Sequence, residues 1–229
     1  CIAAIESGGD AIWGISFNTG THNPVDPHEV MDRGLSVAEA TDSPILFGSR
    51  QASDWSLDDQ LALLRPGDIL TYCFNGRPEN LLEDGAVRTG VLAASDRGIR
   101  FDVGHGMASF SYSIAEPCIE QGFWPDTISS DQYREHTGSV PQHDLPRTLS
   151  KLIAAGMPEE DAFARVTSRP AELLGLSEEI GTLMPGACAD LAVLKYNERA
   201  SSLEDVDGVK KQGGCWEPVA TVRAGEVVS

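Results

Sequence analysis

An α/β fold with a parallel sheet covered on both faces is what this chain predicts, either an open doubly wound sheet or a (β/α)8 barrel. Three observations predict it. Apolar runs of strand length alternate five times with amphipathic segments. The runs are apolar throughout rather than at every second residue, as strands buried on both faces require. The 229 residues, 41% of them hydrophobic, suffice for one sizeable core.

The elements follow in order. "CIAAIESGGD" reads as a helix already under way, which predicts an upstream part. "AIWGISF" (11–17), rich in Ile, Trp and Phe, is the first strand. In "DPHEVMDRGLSVAEA" (26–40), Val30, Leu35, Val37 and Ala38 recur at mixed three- and four-residue spacing, the mark of a helix. "PILF" (44–47) is the next strand, and "SLDDQLALL" (56–64) is a helix with Ser56 as N-cap and Gln60 in its first turn. "DILTYCF" (68–74) precedes "AVRTGVLAASDRG" (86–98), a helix closed by Gly98. "IRFDV" (99–103), the helix "SIAEPCIEQG" (113–122) and "DTISS" (126–130) complete the series. Helices "LPRTLSKLIAAG" (145–156) and "PEEDAFARVTSRPAELLGL" (158–176) follow, the second broken before Pro170. The tail, "GTLMPGACADLAVL" and "VATVRAGEVV", reads as strands of a small sheet, with the polar "ASSLEDVDGVKKQGG" (200–214) as a surface loop.

Composition narrows the function. Lys and Arg number 17 against 35 Asp and Glu, a formal charge of −18 spread along the chain, which repels nucleic acid and anionic membranes. The five cysteines are odd in number and contain no C-x-x-C pair, so neither a disulfide framework nor a structural zinc site is predicted, and a cytoplasmic setting is expected. No stretch approaches the ~20 apolar residues of a membrane span.

Both candidate folds carry their chemistry at the C-terminal ends of the strands. The residues just past those ends are Asn18 to His22, Gly48-Ser49-Arg50, Tyr72 to Asn75, Gly104-His105-Gly106, and Asp131 through His143. Four of the five histidines, His22, His105, His136 and His143, fall there. Asp131, immediately after "TISS", reads either as a metal ligand or general base or as the cap of a turn. His105, between two glycines, suits close approach to a ligand or a hydrogen bond that stabilises its loop.

"RPGDILTYCFNG", "GIRFDVGHGMASFSYSIAE", "GFWPDTISSDQY", "LSKLIAAGMPEEDAFARVTSRPAELLGL" and "IGTLMPGACADLAVLK" together resemble the C-terminal part of the amidohydrolase superfamily, in its dihydroorotase-like metal-dependent deacetylase branch. The resemblance implies that residues 1–180 are strands four to eight of a (β/α)8 TIM-like barrel and that 181–229 belong to a small β domain. It implies hydrolysis of an amide or ester bond of a small polar substrate by a metal-activated water. It also implies a partner for the fragment, the N-terminal part of the same barrel, and self-association is a further expectation.

The family's metal ligands are a His-x-His pair on strand one, a carboxylated lysine after strand four, histidines after strands five and six, and an aspartate after strand eight. In this chain the last four positions read Ser16, Gly48, Tyr72 and Asp131. Serine forms no carbamate, glycine offers no ligand and a neutral tyrosine is a poor one. Hence the resemblance implies a single divalent metal, zinc, held by the His-x-His pair, which would lie upstream of Cys1, and by Asp131, with His22 as a further ligand. Asp131 is the expected general base, and His105, Tyr72, Asn75 and Arg50 the expected substrate contacts. A catalytically silent barrel that binds a small ligand or a partner is the competing reading.

Overall fold

A computed structural model describes residues 1–228 and leaves Ser229, the end of the expected tail segment, outside the described residues. The chain opens with helix α1 (Ile2–Gly8), followed by strand β1 (Ile15–Asn18) and helix α2 (Pro27–Thr41). Asp26 starts α2 because its carboxylate accepts from the backbone N–H groups of His28 and Glu29 while Pro27 presets the first helical turn. Strand β2 (Ile45–Gly48) leads to α3 (Leu57–Leu63), where the Ser56 hydroxyl accepts from Asp59 N at 3.1 Å. Strand β3 (Ile69–Thr71) is followed by a two-residue hairpin, β4 (Leu82–Glu83) with β5 (Ala86–Val87), that the sequence did not announce. Helix α4 (Thr89–Asp96), strand β6 (Arg100–Phe101) and helix α5 (Tyr112–Glu120) come next.

Strands β1, β2, β3 and β6 form one parallel sheet in that order. In-register rows run across it: Phe17 opposite Phe47, Phe47 opposite Leu70, and Leu70 opposite Phe101. Phe47, Leu70 and Phe101 are buried in the main core with Met31 of α2, Leu61 of α3 and Val91 of α4. The same register aligns Asn18, Gly48 and Thr71 at the C-terminal rim, so the following loops converge.

The expected strand at 126–130 is reduced to a single parallel bridge between Asp102 and Thr127. Backbone pairing continues loosely, with Val103 N donating to Thr127 O and His105 N to Ser129 O, both at 3.2 Å. Regular pairing fails because Gly104, Gly106 and Asp131 all leave the extended region, with φ of 50°, 47° and 47°. The Thr71, Thr127 and Ser129 hydroxyls instead converge on the buried Asp102 carboxylate at 2.6–2.7 Å.

After the sheet come α6 (Leu145–Ala154), capped by the Asp144 carboxylate, then α7 (Glu159–Ala164) and α8 (Ser168–Leu173) in place of one long helix. In the tail, β7 (Leu191–Asn197), β10 (Cys215–Arg223) and β11 (Glu226–Val227) make an antiparallel sheet. Between them the expected surface loop is instead a hairpin of β8 (Leu203–Glu204) and β9 (Lys210–Lys211) docked on α5. Leu203 and Asp205 are buried, and the Asp205 carboxylate accepts from Tyr112 N at 2.9 Å. Among the described residues no helix is long and apolar enough to cross a membrane.

Candidate functional site

A cleft of about 500 Å³ opens at the C-terminal rim of the parallel sheet, its walls including Asn18, His22, Ser49, Tyr72, Arg77 and Asp131. Each wall belongs to a loop that leaves a strand end. Tyr72 follows β3 directly and Asp131 follows the Asp102–Thr127 bridge. Both hold left-handed backbone conformations, φ 65° at Tyr72 and 47° at Asp131. Such geometry costs a residue with a side chain roughly 1–3 kcal/mol, and it is concentrated where function demands it.

Supports for this strain are visible. Asn75, nearly fully buried, donates from Nδ2 to Tyr72 O at 3.0 Å and accepts the Arg77 N–H at 3.0 Å. On the other side, His105 N and Gly106 N donate to the carbonyls of Ser129 and Ser130, the two residues before Asp131. Gly106 itself lies so close to Asp131 that a Cβ there would stand 2.7 Å from Oδ2.

The Tyr72 ring is wedged between two glycines. A Cβ on Gly48 would meet Tyr72 Cε2 at 2.9 Å, and one on Gly104 would meet Cδ1 at 2.8 Å. The space beside Gly48 is filled by Tyr72 and by Asn18, whose Cβ would be 3.0 Å away. Burial, reinforced by the Asp131 carboxylate, pushes the Tyr72 phenol up to about 12, so it stays protonated and can donate. Burial likewise raises the Asp131 carboxyl above its ordinary value, opposed by the nearby His136 and His143 and by bonds from Tyr72 and Tyr133. A partly desolvated carboxylate of this kind is a stronger base than one in water.

Tyr72, Asp131 and His22 therefore share one cleft, whereas the other expected site residues do not face it. His105 is fully buried; its Nδ1 faces Gly106 O at 2.8 Å and its Nε2 faces the Lys151 ammonium at 2.7 Å. Arg50 is committed to a two-pronged bond with Asp54, at 3.0 and 2.6 Å, and its guanidinium also reaches Thr19 O. Asn75 is a backbone brace, and Ser16 is exposed on β1 outside the cleft walls.

Sequence reasoning passed over Arg77 and Lys151, and it placed Ser49 at a strand end without giving it a role. Arg77 lines the cleft and forms no ion pair among the described residues, and the buried Ser49 hydroxyl has no hydrogen-bond partner there. Lys151 carried no usable signal, since the apolar stripe of α6 runs through Leu145, Leu149, Leu152 and Ile153 and leaves Lys151 off it, although the helix is buried from Thr148 through Leu152.

Among the described residues no group of three or more His, Cys, Asp or Glu side chains is placed to hold a metal ion. Asp131 and His22 are the only side chains of that donor type among the cleft walls. Taken by themselves, the residues of this chain do not fit a metal centre. At the rim Gly48 is packed against Tyr72, and the Tyr72 phenol is protonated.

Residues 112–228 match the Amidohydrolase family. A deacetylase of Brucella anthropi is 36% identical over 174 residues, 75% of this chain and 43% of that protein. The crystal structure of an adenine deaminase superposes with a TM-score of 0.89 at 28% identity, covering 99% of this chain and 62% of the other. That of a dihydroorotase gives 0.84 at 27% identity, over 100% and 62%. The chain spans less than half the length of the deacetylase that it resembles.

Proposed function

This chain belongs to the amidohydrolase family, and on that premise we propose that it is the C-terminal part of a hydrolase that cleaves the amide or ester bond of a small polar acyl compound. The observation that carries the reading is the facing of Asp131 and Tyr72 across one cleft at the sheet rim. The deacetylase relative supports an acyl-transfer chemistry to water over a silent barrel. In the proposed domain plan, residues 1–180 supply strands four to eight of a (β/α)8 barrel and 181–229 a segment of a small β domain. The remainder of the barrel is the partner that completes the cleft.

The chemistry of this chain's own residues follows from their protonation. Asp131 takes a proton from the attacking water as the water oxygen bonds to the carbonyl carbon. The protonated Tyr72 phenol donates to the carbonyl oxygen as negative charge builds there, the role of an oxyanion donor. Asp131 then returns the proton to the leaving nitrogen or oxygen as the acyl bond breaks. A divalent ion, zinc by resemblance, enters only as far as Asp131 and His22 each offer one donor to ligands from the rest of the protein.

The test is Asp131→Asn in the full protein, assayed on N-acetyl amino acids and their esters. Loss of a positioned general base costs on the order of 10² to 10⁴ in rate. Because Asn keeps the size of Asp, the melting temperature should shift little. Unchanged turnover in the variant would end the assignment of Asp131.

A further inference from the structure

Lys151 of α6 is fully buried, and none of the ion pairs among the described residues includes it. Its ammonium donates to His105 Nε2 at 2.7 Å and to Gln142 O at 2.7 Å. Both partners are neutral, and both lie on segments that flank Asp131 rather than in the sheet.

What happens at His105 follows from donor bookkeeping. A ring nitrogen facing an ammonium must accept, so the imidazole is neutral and its hydrogen sits on Nδ1, where it is donated to Gly106 O at 2.8 Å. Stacking fixes the ring plane: Phe110 lies 4.9 Å away at 18° and His143 lies 5.3 Å away at 10°. From the same turn, the His105 and Gly106 N–H groups hold the Ser129 and Ser130 carbonyls. A continuous path thus runs from the Lys151 ammonium, through one oriented imidazole, to the backbone that forces Asp131 into its left-handed conformation.

We propose that Lys151 is a positioning residue for Asp131: through His105 and Gly106 it fixes the strained turn, and through Gln142 it ties down the loop that follows. The proposal deepens the hydrolase reading and rests on it for its catalytic readout alone.

A purely structural role is a poor explanation of this lysine. A buried ammonium without a carboxylate partner is costly, and an apolar side chain of similar length would pack the same space at least as well. The charged groups around it do not neutralise it by contact. Arg147 of its own helix opposes the charge, while Asp144 at the helix start and Glu204 and Asp205 of the docked hairpin favour it from beyond ion-pair distance. Burial pulls Lys151 down to about 7 and His105 to about 3, so the imidazole is uncharged throughout the neutral range and its Nε2 accepts below about pH 7, where Lys151 is an ammonium.

The experiment compares the full protein with Lys151→Met and with Lys151→Gln, which keeps an uncharged N–H donor group. Histidine-selective and backbone nitrogen NMR reads the His105 tautomer and the amides of Ser129 to Asp131. Turnover of N-acetyl amino acids reads catalysis. In the parent, His105 should show hydrogen on Nδ1 only and should not titrate above about pH 5. In Lys151→Met that tautomer should be lost and the three amides should move. kcat should fall on the order of 10²-fold, as for a catalytic group displaced by about an ångström. KM and the melting temperature should stay near the parent values, and Lys151→Gln should lie between.

Unmoved amides in Lys151→Met, or a loss of kcat that only tracks a loss of folded protein, overturns the proposal. If Lys151→Met does not fold, the same readouts on Lys151→Gln decide it. If the parent hydrolyses none of the compounds, the hydrolase reading falls while the NMR comparison still decides the positioning claim.

Discussion

Tyr72 occupies the space that any side chain at Gly48 would need, with Cε2 2.9 Å from where that Cβ would stand. Gly48 is also the last residue of β2, paired with Asn18 and Thr71 across the rim, so its backbone cannot retreat without breaking the register.

Gly48→Ala should therefore destabilise the protein. Replacing glycine in an extended strand gains about 0.4–1 kcal/mol through the unfolded chain, but overpacking costs about 1–3 kcal/mol, and the clash should win. Combining it with Tyr72→Ala removes the obstacle, so the double variant should be more stable than the sum of the two losses by about 0.5–3 kcal/mol. Chemical denaturation of the four proteins measures the coupling. Simple additivity would mean that the ring moves aside freely.

Helix starts were legible because their causes are local. Asp26 with Pro27, and Ser56 with Asp59, lie within three residues of the N–H groups they serve. The parallel sheet was legible because Ile45, Phe47, Ile69, Leu70 and Phe101 are buried on both faces. What escaped reading depends on partners far along the chain. His105 turns inward for a lysine 46 residues away, and Asp205 draws its hairpin inside through a bond to Tyr112 N, 93 residues away. The 126–130 segment, with β-branched Thr127 and Ile128, suggested a strand, yet two of its hydroxyls are spent on Asp102. At the site, Asp131 and Tyr72 could be picked out by their strand-end positions, while Arg50 was taken by Asp54 four residues on, a competition that a list of loop residues does not reveal.

Stability should fall in mild acid partly because of His105. Its native value is near 3 and its ordinary unfolded value near 6.5. Between those limits the unfolded chain binds a proton that the native protein refuses, so unfolding becomes easier as pH drops. The contribution is fully present above about 6.5 and lost progressively towards 3. Lys151 acts with the same sign at higher pH: the unfolded lysine keeps its proton to about 10.5 and the native one to about 7, so this group adds stability as pH rises through that window. Denaturant midpoints taken from pH 7 to pH 5 should fall more steeply for the parent than for His105→Gln. Parallel curves would remove His105 from the acid response.

Asp205 should be worth more than its place in a polar, glycine-rich segment suggests. Its carboxylate is buried and accepts from Tyr112 N at 2.9 Å, from Asp207 N at 2.9 Å and from Val209 N at 2.8 Å. Asp205→Ala leaves three backbone donors to find water or go unpaired, and each buried donor left without a partner costs about 1–3 kcal/mol. A loss of about 2–4 kcal/mol is expected, together with rapid hydrogen exchange or protease cleavage between Ser201 and Gly214. A surface loop of no consequence would give a change within about 0.5 kcal/mol.

The tail sheet and the segment that leads into it expose apolar side chains among the described residues. Leu183 is 86% exposed, Met184 69%, Val227 75% and Val219 59%. Beside them an apolar groove between α6, α7 and β7 is walled by Leu149, Phe163, Ile180, Leu191 and Leu194. Single exposed apolar residues are ordinary, but several of them together with an apolar groove favour association. The 229-residue polypeptide, produced by itself, should therefore self-associate despite its charge of −18, because repulsion between like-charged molecules is screened beyond about 8–10 Å in salt whereas apolar contact is not. Sedimentation velocity should show dimers or larger species whose share grows with concentration and with added salt. Replacing Leu183 by Ser and Val227 by Thr together should shift the distribution back to monomer without lowering the melting temperature of the α/β part. A parent that sediments as a monomer at all concentrations would show that this face is stable in water as it stands.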